Sequence, residues 1–522
     1  MNERPPGDDR TLAGALRQRA VDTPQETFIV AETVAGEVRS VTFAGLAARA
    51  SRLARLLRSL GIGHGSRFHV HLPNCVEFAE CLFASAQLGA VMVPTSPGST
   101  PDDLAYVLSH SAATVSVTEP ALLPGLIEAR DLAPELGEVL LARSRQSLAG
   151  SRLLEKALAG ESEEPIREQA RPGDTAVILY TSGTTGWPKG VEVSHASLLF
   201  AGEVVAQALR MRRDDRWLVA LPLFHGNALY YSTMSALVTG ASLVLAESFE
   251  PERWAEQVVR HGATLASLFA TQLRMVLAQS ATGVEPGAGL RATVYAQNLA
   301  ERQVTEFEHR FGCPLVQLYG MTETVAPPLI NPLYGERRNA SLGRPVPHIP
   351  LRVIDSDGKD VGAGDTGQLL VGGQPGQILM RGYHNNPAAT ADVLRDDWLH
   401  TGDYVHVDDG YYYFHGRSSD LLKPSVDNVS TAEIERVVME NWAVQECAAV
   451  GVPDSVRAEA IKLYIVRQPG EPLTSEEIRD WCAQRLAEQK RPDLIEFADT
   501  LPHTPVGKID RRALSGRSVT RP

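Results

Sequence analysis

The hydrophobic pattern of the chain alternates between helical and strand periods. Between Thr42 and Gly61, leucines recur near helical spacing while arginines occupy the opposite face, which predicts an amphipathic helix capped by Thr42 and ended by Gly61. Elsewhere the pattern predicts strands at 68–72, 90–94, 217–222, 242–246 and 264–268, and helices at 75–88, 228–240 and 251–261. Such alternation favours a layered α/β body with largely parallel sheets, whose strand ends are candidate ligand sites.

Two changes in the sequence pattern predict a further subdomain and a further domain. From about residue 343, glycine-punctuated short strands indicate a small β-rich subdomain, and after residue 420 two helices and two strands indicate a small α/β domain. We therefore expect an N-terminal domain at 1–416, including the β-rich subdomain at about 343–416, a hinge at 417–420 and a mobile C-terminal domain at 421–522. The charged segment 143–174 predicts an exposed connection.

Composition narrows the class of protein. The chain has 522 residues, 43% of them hydrophobic and 22% charged, which is typical of a globular protein with several cores. A net charge of −13 argues against a protein that grips nucleic acid. Five scattered cysteines without a C-x-x-C pair suggest neither disulfides nor zinc. We expect a cytoplasmic protein without a signal peptide or membrane span.

A glycine- and hydroxyl-rich turn follows the apolar run 176–179. It reads Tyr180-Thr181-Ser182-Gly183-Thr184-Thr185-Gly186-Trp187-Pro188-Lys189-Gly190. Backbone N–H groups, hydroxyls and Lys189 together suit a phosphate, although the spacing does not match the usual mononucleotide-binding loop. A flexible surface loop is the common alternative for such a run, but a lysine with this many hydroxyls after a buried strand favours phosphate binding.

Four further segments carry candidate chemistry. They are Tyr319-Gly320-Met321-Thr322-Glu323-Thr324, His400-Thr401-Gly402-Asp403, Gly416-Arg417 and Thr504-Pro505-Val506-Gly507-Lys508-Ile509. Taken alone, each is more often a solvated turn or a cap than a site. Their joint order and spacing, together with the loop at 180–190, are difficult to explain by packing.

This set resembles the superfamily of acyl-adenylate-forming enzymes, which includes acyl-CoA synthetases, peptide-synthetase adenylation domains and luciferases. The resemblance runs from about residue 25 to 514. Within the superfamily the greatest likeness is to crotonobetaine/carnitine-CoA ligases and similar bacterial acyl-CoA ligases. That likeness rests on the segments 295–299, 319–324 and 389–403.

The resemblance implies a role for each matching residue at the nucleotide. Thr181, Ser182, Gly183, Thr184, Thr185 and Lys189 match the loop that holds the β- and γ-phosphates of ATP. Glu323 matches a Mg²⁺ ligand, with Thr322 beside it on phosphate and Tyr319 in the same nucleotide-binding segment. Asp403 matches the carboxylate that receives the ribose hydroxyls, and Arg417 matches the residue that assists it.

It also implies two catalytic groups outside that set. Lys508 matches a lysine of the mobile domain that bridges the acid and the α-phosphate, and His225 matches a gate between the acid pocket and the tunnel of the second substrate. A histidine after an apolar strand often only satisfies nearby backbone groups, so a purely structural His225 stays open. The hinge position falls on Ser419, where the family usually has aspartate or lysine.

Three features depart from the family pattern. Ser425 and Val426 lie where paired glycines are common, in a loop expected to line the pantetheine tunnel. Ala296-Gln297-Asn298 replaces a Gly-Gly-Ala-Pro-like stretch against the adenine ring, and Trp187 is large for the phosphate loop.

We therefore expect an enzyme that uses ATP (or acyl-AMP), Mg²⁺ and coenzyme A to convert a carboxylic acid to acyl-AMP and then to acyl-CoA. An enzyme of one half-reaction, an enzyme that loads a carrier protein and a non-catalytic acyl-nucleotide-binding protein stay open as alternatives. So do a homo-oligomer and a partner enzyme that shares the two half-reactions. The acid itself is not readable from the sequence.

Overall fold

The computed structural model describes residues 10–166, 169–181, 187–279, 289–297, 299–417, 421–422, 429–453, 459–504 and 509–515. Its α-helices are α1 Leu12–Asp22, α2 Phe43–Ser59, α3 Val76–Leu88, α4 Pro101–Ser111, α5 Leu123–Leu132, α6 Leu154–Leu158, α7 His195–Ala208, α8 Met234–Thr239, α9 Pro251–His261, α10 Ala270–Leu277, α11 Glu301–Phe311, α12 Pro387–Val393, α13 Thr431–Met439, α14 Ser475–Ala483 and α15 Arg511–Leu514. A π-helix spans Asn227–Thr233 and a 3₁₀ turn spans Glu488–Lys490.

The strands in chain order are β1 Thr27–Glu32, β2 Val38–Thr42, β3 Arg67–His71, β4 Val91–Pro94, β5 Val115–Thr118, β6 Glu138–Leu141, β7 Arg152–Leu153, β8 Thr175–Thr181, β9 Lys189–Ser194, β10 Arg216–Val219, β11 Ser242–Ala246, β12 Leu265–Phe269, β13 Ala292–Ala296, β14 Leu315–Tyr319, β15 Leu329–Ile330, β16 Arg344–Pro345, β17 Leu351–Ile354, β18 Gly367–Gly372, β19 Gly382–Tyr383, β20 Leu394–Arg395, β21 Trp398–Asp408, β22 Tyr411–Arg417, β23 Leu421–Leu422, β24 Val429–Ser430, β25 Val444–Pro453, β26 Glu459–Arg467 and β27 Leu494–Phe497.

Two sheets with parallel centres form the body of the molecule. The first has the order β16-β15-β14-β13-β12-β10-β11-β1-β2, and the strands from β14 to β1 run parallel. The second has the order β19-β9-β8-β4-β3-β5-β6-β7, with an antiparallel β8–β9 hairpin at one side. This confirms the predicted α/β fold class, and it brings the carboxyl ends of β10, β12, β13 and β14 to one edge of the first sheet.

One hydrophobic core joins both sheets to the helices between their strands. Phe28 of β1 stacks on Phe43 of α2 with ring centroids 4.5 Å apart and meets Phe83 of α3 edge-on. Phe68 of β3, in the second sheet, lies in the same buried cluster. Burial of each such side chain contributes about 1.5–3 kcal/mol, so the two sheets form a firm base for the strand ends that carry the site.

Helix α2 shows why these elements form where the pattern predicts them. The Thr42 hydroxyl accepts a hydrogen bond from the backbone N–H of Gly45 at 3.0 Å, which satisfies one of the free donors of the first turn. After Leu60, Gly61 adopts a φ of +88°, the left-handed conformation that ends a helix without steric cost. The predicted helix, its cap and its end are confirmed.

The structure corrects two local predictions. The segment 143–174 contains the short strand β7 and the helix α6, so it is more than an exposed connection. The helix predicted at 228–240 begins as the π-helix Asn227–Thr233 and becomes α-helical only at Met234. Apolar periodicity does not distinguish these windings, because the same buried face serves both.

The β-rich unit predicted from about residue 343 is an antiparallel sheet with the order β17-β18-β21-β20, and β22 pairs with β21. Strands β25, β26 and β27 form a separate mixed sheet, in which β26 pairs antiparallel with β25 and parallel with β27. This sheet packs on α13 and α14 in a hydrophobic cluster of its own. The boundaries at 416 and 421 stay predictions, and Ser419 lies outside the described residues.

Candidate active site

Asp403 is the centre of a buried hydrogen-bonded cluster. It lies on β21 directly opposite Arg417 of β22, and the Nε of Arg417 donates to its Oδ1 at 2.8 Å. The hydroxyl of Tyr319, at the carboxyl end of β14, donates to the other oxygen, Oδ2. The cluster therefore joins three predicted site residues from two different sheets.

The electrostatics of this cluster keep Asp403 available as an acceptor. The Asp403 carboxylate raises the pKa of Arg417, so the guanidinium stays charged. Burial and the same carboxylate raise the pKa of Tyr319, so its hydroxyl stays a donor. A carboxylate accepts hydrogen bonds on both of its oxygens, so Asp403 has the chemistry to receive hydroxyl groups of a ligand.

The phosphate-type loop is the turn of the β8–β9 hairpin. Thr181 ends β8 and lies opposite Lys189, which begins β9. Of the other predicted loop residues, Ser182, Gly183, Thr184 and Thr185 lie outside the described residues. The hairpin thus places a hydroxyl residue and a lysine on facing strands at the two ends of the loop.

The side chain of Trp187, which is large compared with the family pattern of this loop, packs against a residue outside the loop. Its ring stacks on Tyr106 of α4 with centroids 4.5 Å apart and planes 15° apart. The Tyr106 hydroxyl also donates to the carbonyl of Pro188 at 2.9 Å. Helix α4 therefore anchors the segment immediately before Lys189.

Glu323 lies in a tight turn after β14. The turn is fixed by Thr324, whose hydroxyl accepts from the backbone N–H of Met321 at 3.0 Å and donates to its carbonyl at 3.0 Å. Val325 follows in the left-handed region with a φ of +56°, which costs a β-branched residue about 1–3 kcal/mol. Glu323 is buried by this turn, and Thr322 beside it is half-buried.

Tyr383 connects the Glu323 turn to the phosphate-type loop. Its hydroxyl donates to Oε1 of Glu323 at 2.9 Å, and the Nζ of Lys189 lies over its ring, 4.8 Å from the centroid. The Glu323 carboxylate also contributes to the raised pKa of Arg417. The phosphate-side residues and the Asp403 cluster consequently belong to one electrostatic environment.

His225 lies after β10, and Gly226 separates it from the start of the π-helix. Its Nδ1 accepts from the backbone N–H of Asn227 at 3.3 Å, and its ring packs edge-on against Phe269 at the end of β12. Because Nδ1 is an acceptor here, a neutral ring carries its proton on Nε2. His225 therefore stands at the same sheet edge as Tyr319 and Glu323.

The π-helix brings two tyrosines toward the Glu323 turn. A Cβ at Gly320 would overlap the hydroxyl of Tyr231, so this position requires glycine. Tyr230 is fully buried, and its hydroxyl has no hydrogen-bond partner among the residues that the structure describes. Burial, Tyr231 and Glu323 raise its pKa. π-Helical turns are frequent at functional sites, and this one widens a helix beside the predicted catalytic groups.

The predicted adenine segment is only partly described, and the lysine predicted for the C-terminal domain is not among the described residues. Ala296 ends β13, and Gln297 follows with a φ of +79°, whereas Asn298 lies outside the described residues. Lys508 and the loop that contains Ser425 and Val426 also lie outside them.

The structure thus joins Tyr319 and Arg417 to Asp403 by hydrogen bonds. It also brings Lys189 and Glu323 into contact with the same residue, Tyr383. Sequence reasoning missed Tyr383, and it placed pocket residues in the region 225–232 without singling out Tyr230 or Tyr231. Tyr383 follows Gly382 in a segment without any separate signal, and its role depends on contacts with residues that are distant in sequence. The π-helix tyrosines carry the signal of an ordinary buried helix face.

The arrangement forms a candidate nucleotide site at the carboxyl edge of a parallel sheet, and comparison with known proteins gives the class of protein. The family model of the AMP-binding enzyme matches residues 16–384, and that of the AMP-binding enzyme C-terminal domain matches residues 433–508. The chain belongs to the AMP-binding enzyme family. None of the helices described is both long and apolar enough to cross a lipid bilayer.

Individual relatives make the likeness more specific. The chain is 34% identical over 501 residues to a crotonobetaine/carnitine–CoA ligase of Proteus mirabilis (strain HI4320), covering 94% of this chain and 96% of the relative. Among solved structures it is similar to the anthranilate CoA ligase AuaEII in complex with anthranoyl-AMP, with a TM-score of 0.88, 26% identity and coverage of 98% and 97%. A benzoate CoA ligase from Burkholderia xenovorans LB400 gives a TM-score of 0.86, 26% identity and coverage of 97% and 100%.

Proposed function

We propose that this chain is an ATP-dependent acid–CoA ligase that works through an acyl-AMP intermediate. One observation carries the proposal: Arg417 and Tyr319 both bond to Asp403, which is matched to the ribose. Tyr319 also ends the strand β14 that leads into the turn of Glu323, which is matched to the metal and phosphates. Residues matched to the ribose end and to the phosphate end of one nucleotide therefore lie in a single candidate site. Family membership and the likeness to CoA ligases support the same activity.

In the first half-reaction, a carboxylate oxygen of the acid forms a bond to the α-phosphorus of ATP, and the bond to the β-phosphate oxygen breaks to release pyrophosphate. The barrier arises mainly from negative charge brought together, so positioned donors and cations lower it. We assign Thr181, Lys189 and the loop residues Ser182–Thr185 to the β- and γ-phosphates. Lys508 is assigned to the charge shared between the acid and the α-phosphate.

The residues at Glu323 fit a magnesium ion that arrives with ATP. A hard cation of this size commonly takes one or two protein carboxylates and completes its shell with phosphate oxygens and water. Glu323 supplies such a carboxylate, and its Oε1 is already oriented by Tyr383. The ion would neutralise phosphate charge there, and Thr322 would add a neutral contact.

In the second half-reaction, the thiol sulfur of coenzyme A forms a bond to the acyl carbon, AMP leaves with the former carboxylate oxygen, and the thiol proton passes to solvent. We propose that the C-terminal domain turns about the hinge at 417–420, so that Lys508 withdraws before the thiol enters. His225 stands between Phe269 and the π-helix, where a gate to a second-substrate tunnel would act.

The acid is proposed to bind between His225 and the segment that ends in Glu323, next to Tyr231. The named relatives act on crotonobetaine or carnitine, anthranilate and benzoate, so these acids form the first test panel. We further propose a cytoplasmic location. A homo-oligomer or a partner enzyme that takes one half-reaction stays open.

One assay tests the function. Purified protein is incubated with each acid, ATP, Mg²⁺ and coenzyme A, and acyl-AMP and acyl-CoA are measured by mass spectrometry, with a parallel set given preformed acyl-AMP and no ATP. A ligase makes acyl-CoA in both sets. Acyl-AMP alone in the first set, or acyl-CoA only in the second, indicates an enzyme of one half-reaction, and no product in either set contradicts the proposal.

A further inference from the structure

A short segment at 380–384 joins the two halves of the phosphate side of the site. The backbone N–H of Met380 donates to the carbonyl of Glu323 at 3.0 Å. Three residues further along, β19 pairs antiparallel with β9, with Tyr383 opposite Val191, and the N–H of His384 donates to the carbonyl of Gly190 at 2.7 Å. One segment of five residues is therefore bonded to the Glu323 turn at one end and to the loop hairpin at the other.

Side chains reinforce these backbone bonds. His384 Nδ1 is 2.7 Å from Oε1 of Glu192, and Arg381 donates to the hydroxyl of Thr175 at 3.0 Å, so both neighbours of the Gly382–Tyr383 strand are fixed to the β8–β9 hairpin. The N–H of Tyr383 itself donates to the Thr390 hydroxyl at 2.9 Å. The backbone of Tyr383 consequently has little freedom, and its side chain starts from a fixed point.

The Tyr383 side chain makes two different contacts with predicted site residues. Its hydroxyl bonds to one oxygen of Glu323 at 2.9 Å, and its ring face lies 4.8 Å from the Lys189 ammonium. A phenol carries an O–H and a carboxylate only accepts, so Tyr383 is the hydrogen-bond donor and Glu323 the acceptor. A bond to Oε1 restricts rotation of the carboxylate and leaves Oε2 for another ligand.

We propose that Tyr383 is a positioning residue that orients the Glu323 carboxylate toward the metal-bound phosphates and holds Lys189 beside them. The inference rests on the proposed function of Glu323 as the magnesium ligand. Tyr383 acts through two other residues, and its hydroxyl and its ring have separable effects. The hydroxyl acts on metal binding through Glu323, whereas the ring acts on phosphate binding through Lys189.

Two substitutions separate these effects. Tyr383→Phe removes the hydroxyl and keeps the ring, whereas Tyr383→Leu removes both. Binding of Mg-ATP and of ATP in EDTA is measured by calorimetry for each variant of the full chain. We expect Tyr383→Phe to bind Mg-ATP about tenfold more weakly and metal-free ATP within twofold of the parent, because the lost bond is to a charged group. Tyr383→Leu should weaken both, because the cation–π contact is lost as well.

A double-mutant cycle and a matched control complete the test. In a Glu323→Gln background, Tyr383→Phe should have no further effect on the ratio of the two affinities. Tyr411→Phe removes another buried hydroxyl, which donates to the carbonyl of Glu336, and should leave both affinities unchanged. The half-saturating Mg²⁺ concentration at fixed ATP should rise in Tyr383→Phe and not in Tyr411→Phe.

The outcomes distinguish the inference from the proposed function. If Glu323→Gln leaves the affinity for Mg-ATP unchanged, the magnesium role of Glu323 is wrong and the inference fails with it. If Glu323→Gln weakens Mg-ATP while Tyr383→Phe does not, only the positioning role is overturned. Equal weakening of Mg-ATP and metal-free ATP in Tyr383→Phe would mean a general structural effect, and it also overturns the proposal.

Discussion

The substitution Asp403→Asn should weaken nucleotide binding at the ribose end of the candidate site. The carboxylate is only 2% exposed, and it accepts hydrogen bonds from Arg417 Nε at 2.8 Å and from the Tyr319 hydroxyl. We assign this carboxylate to the 2′- and 3′-hydroxyls of a nucleotide, which would donate to its oxygens. An amide keeps one acceptor oxygen, turns the other position into a donor and loses the charge.

The expected magnitude follows from these bonds. A hydrogen bond to a charged group contributes about 1.5–3 kcal/mol, and part of the loss is recovered because the amide can still accept one hydroxyl. A net loss of about 2 kcal/mol corresponds to roughly 30-fold weaker binding of AMP. The parent should discriminate by about the same factor against 2′,3′-dideoxy-AMP, which lacks both hydroxyls, whereas Asp403→Asn should bind the two nucleotides within about threefold.

Calorimetric titration of the parent and the variant with both nucleotides measures this ligand–mutant cycle. Asp408→Asn is the matched control, since Asp408 lies on the same strand but its side chain is 69% exposed. A parent that binds 2′,3′-dideoxy-AMP as tightly as AMP would refute the ribose assignment. So would a discrimination factor that Asp403→Asn leaves unchanged.

Three further predictions address other parts of the chain. Lys508→Ala should abolish acyl-AMP formation and spare thioester formation from preformed acyl-AMP; survival of both steps, measured by mass spectrometry, would contradict the lysine assignment. Gly320→Ala should inactivate the enzyme because its Cβ overlaps the Tyr231 hydroxyl, and Tyr231→Phe should restore activity in the double variant; failure of that rescue would contradict the clash. Burial lowers the pKa of His195 to about 4, below its unfolded value near 6.5, so stability should fall by about 3 kcal/mol as the pH drops through this window. His195→Gln should lose that part of the pH dependence of thermal melting, and an unchanged curve would contradict it.

The position of the site could be predicted because it depends on strong local signals. His225 follows an apolar strand and Tyr319 ends another in an alternating α/β pattern, and the carboxyl ends of parallel strands meet at one edge. The contact between Asp403 and Arg417 could be inferred only from the family resemblance. Their strands pair with a bulge at His415, so that Val405 faces Phe414 while Tyr404 faces Gly416.

That bulge decides which residue faces Asp403. Without the extra residue, the register of Val405 with Phe414 would place Gly416 opposite Asp403 and would turn Arg417 to the other face of the sheet. No hydrophobic pattern in the sequence marks the bulge. The hydrophobic pattern does not reveal the π-helix either. Its wider turn changes the direction of Tyr230 and Tyr231, but the buried face of the helix stays apolar.

The altered adenine segment also becomes clearer in the structure. The family pattern there is rich in glycine, and this chain has Gln297 with a φ of +79°, a conformation that glycine adopts without steric cost and other residues adopt at a cost of about 1 kcal/mol or more. The backbone of Gln297 therefore has a conformation typical of glycine although the residue carries a long side chain. Val325, at +56°, is a second residue of this kind beside Glu323. Both lie just beyond strands of the same sheet edge, where local strain is retained only because surrounding packing imposes it. We therefore expect the side chain of Gln297, rather than an altered backbone conformation, to change what an adenine ring would touch there.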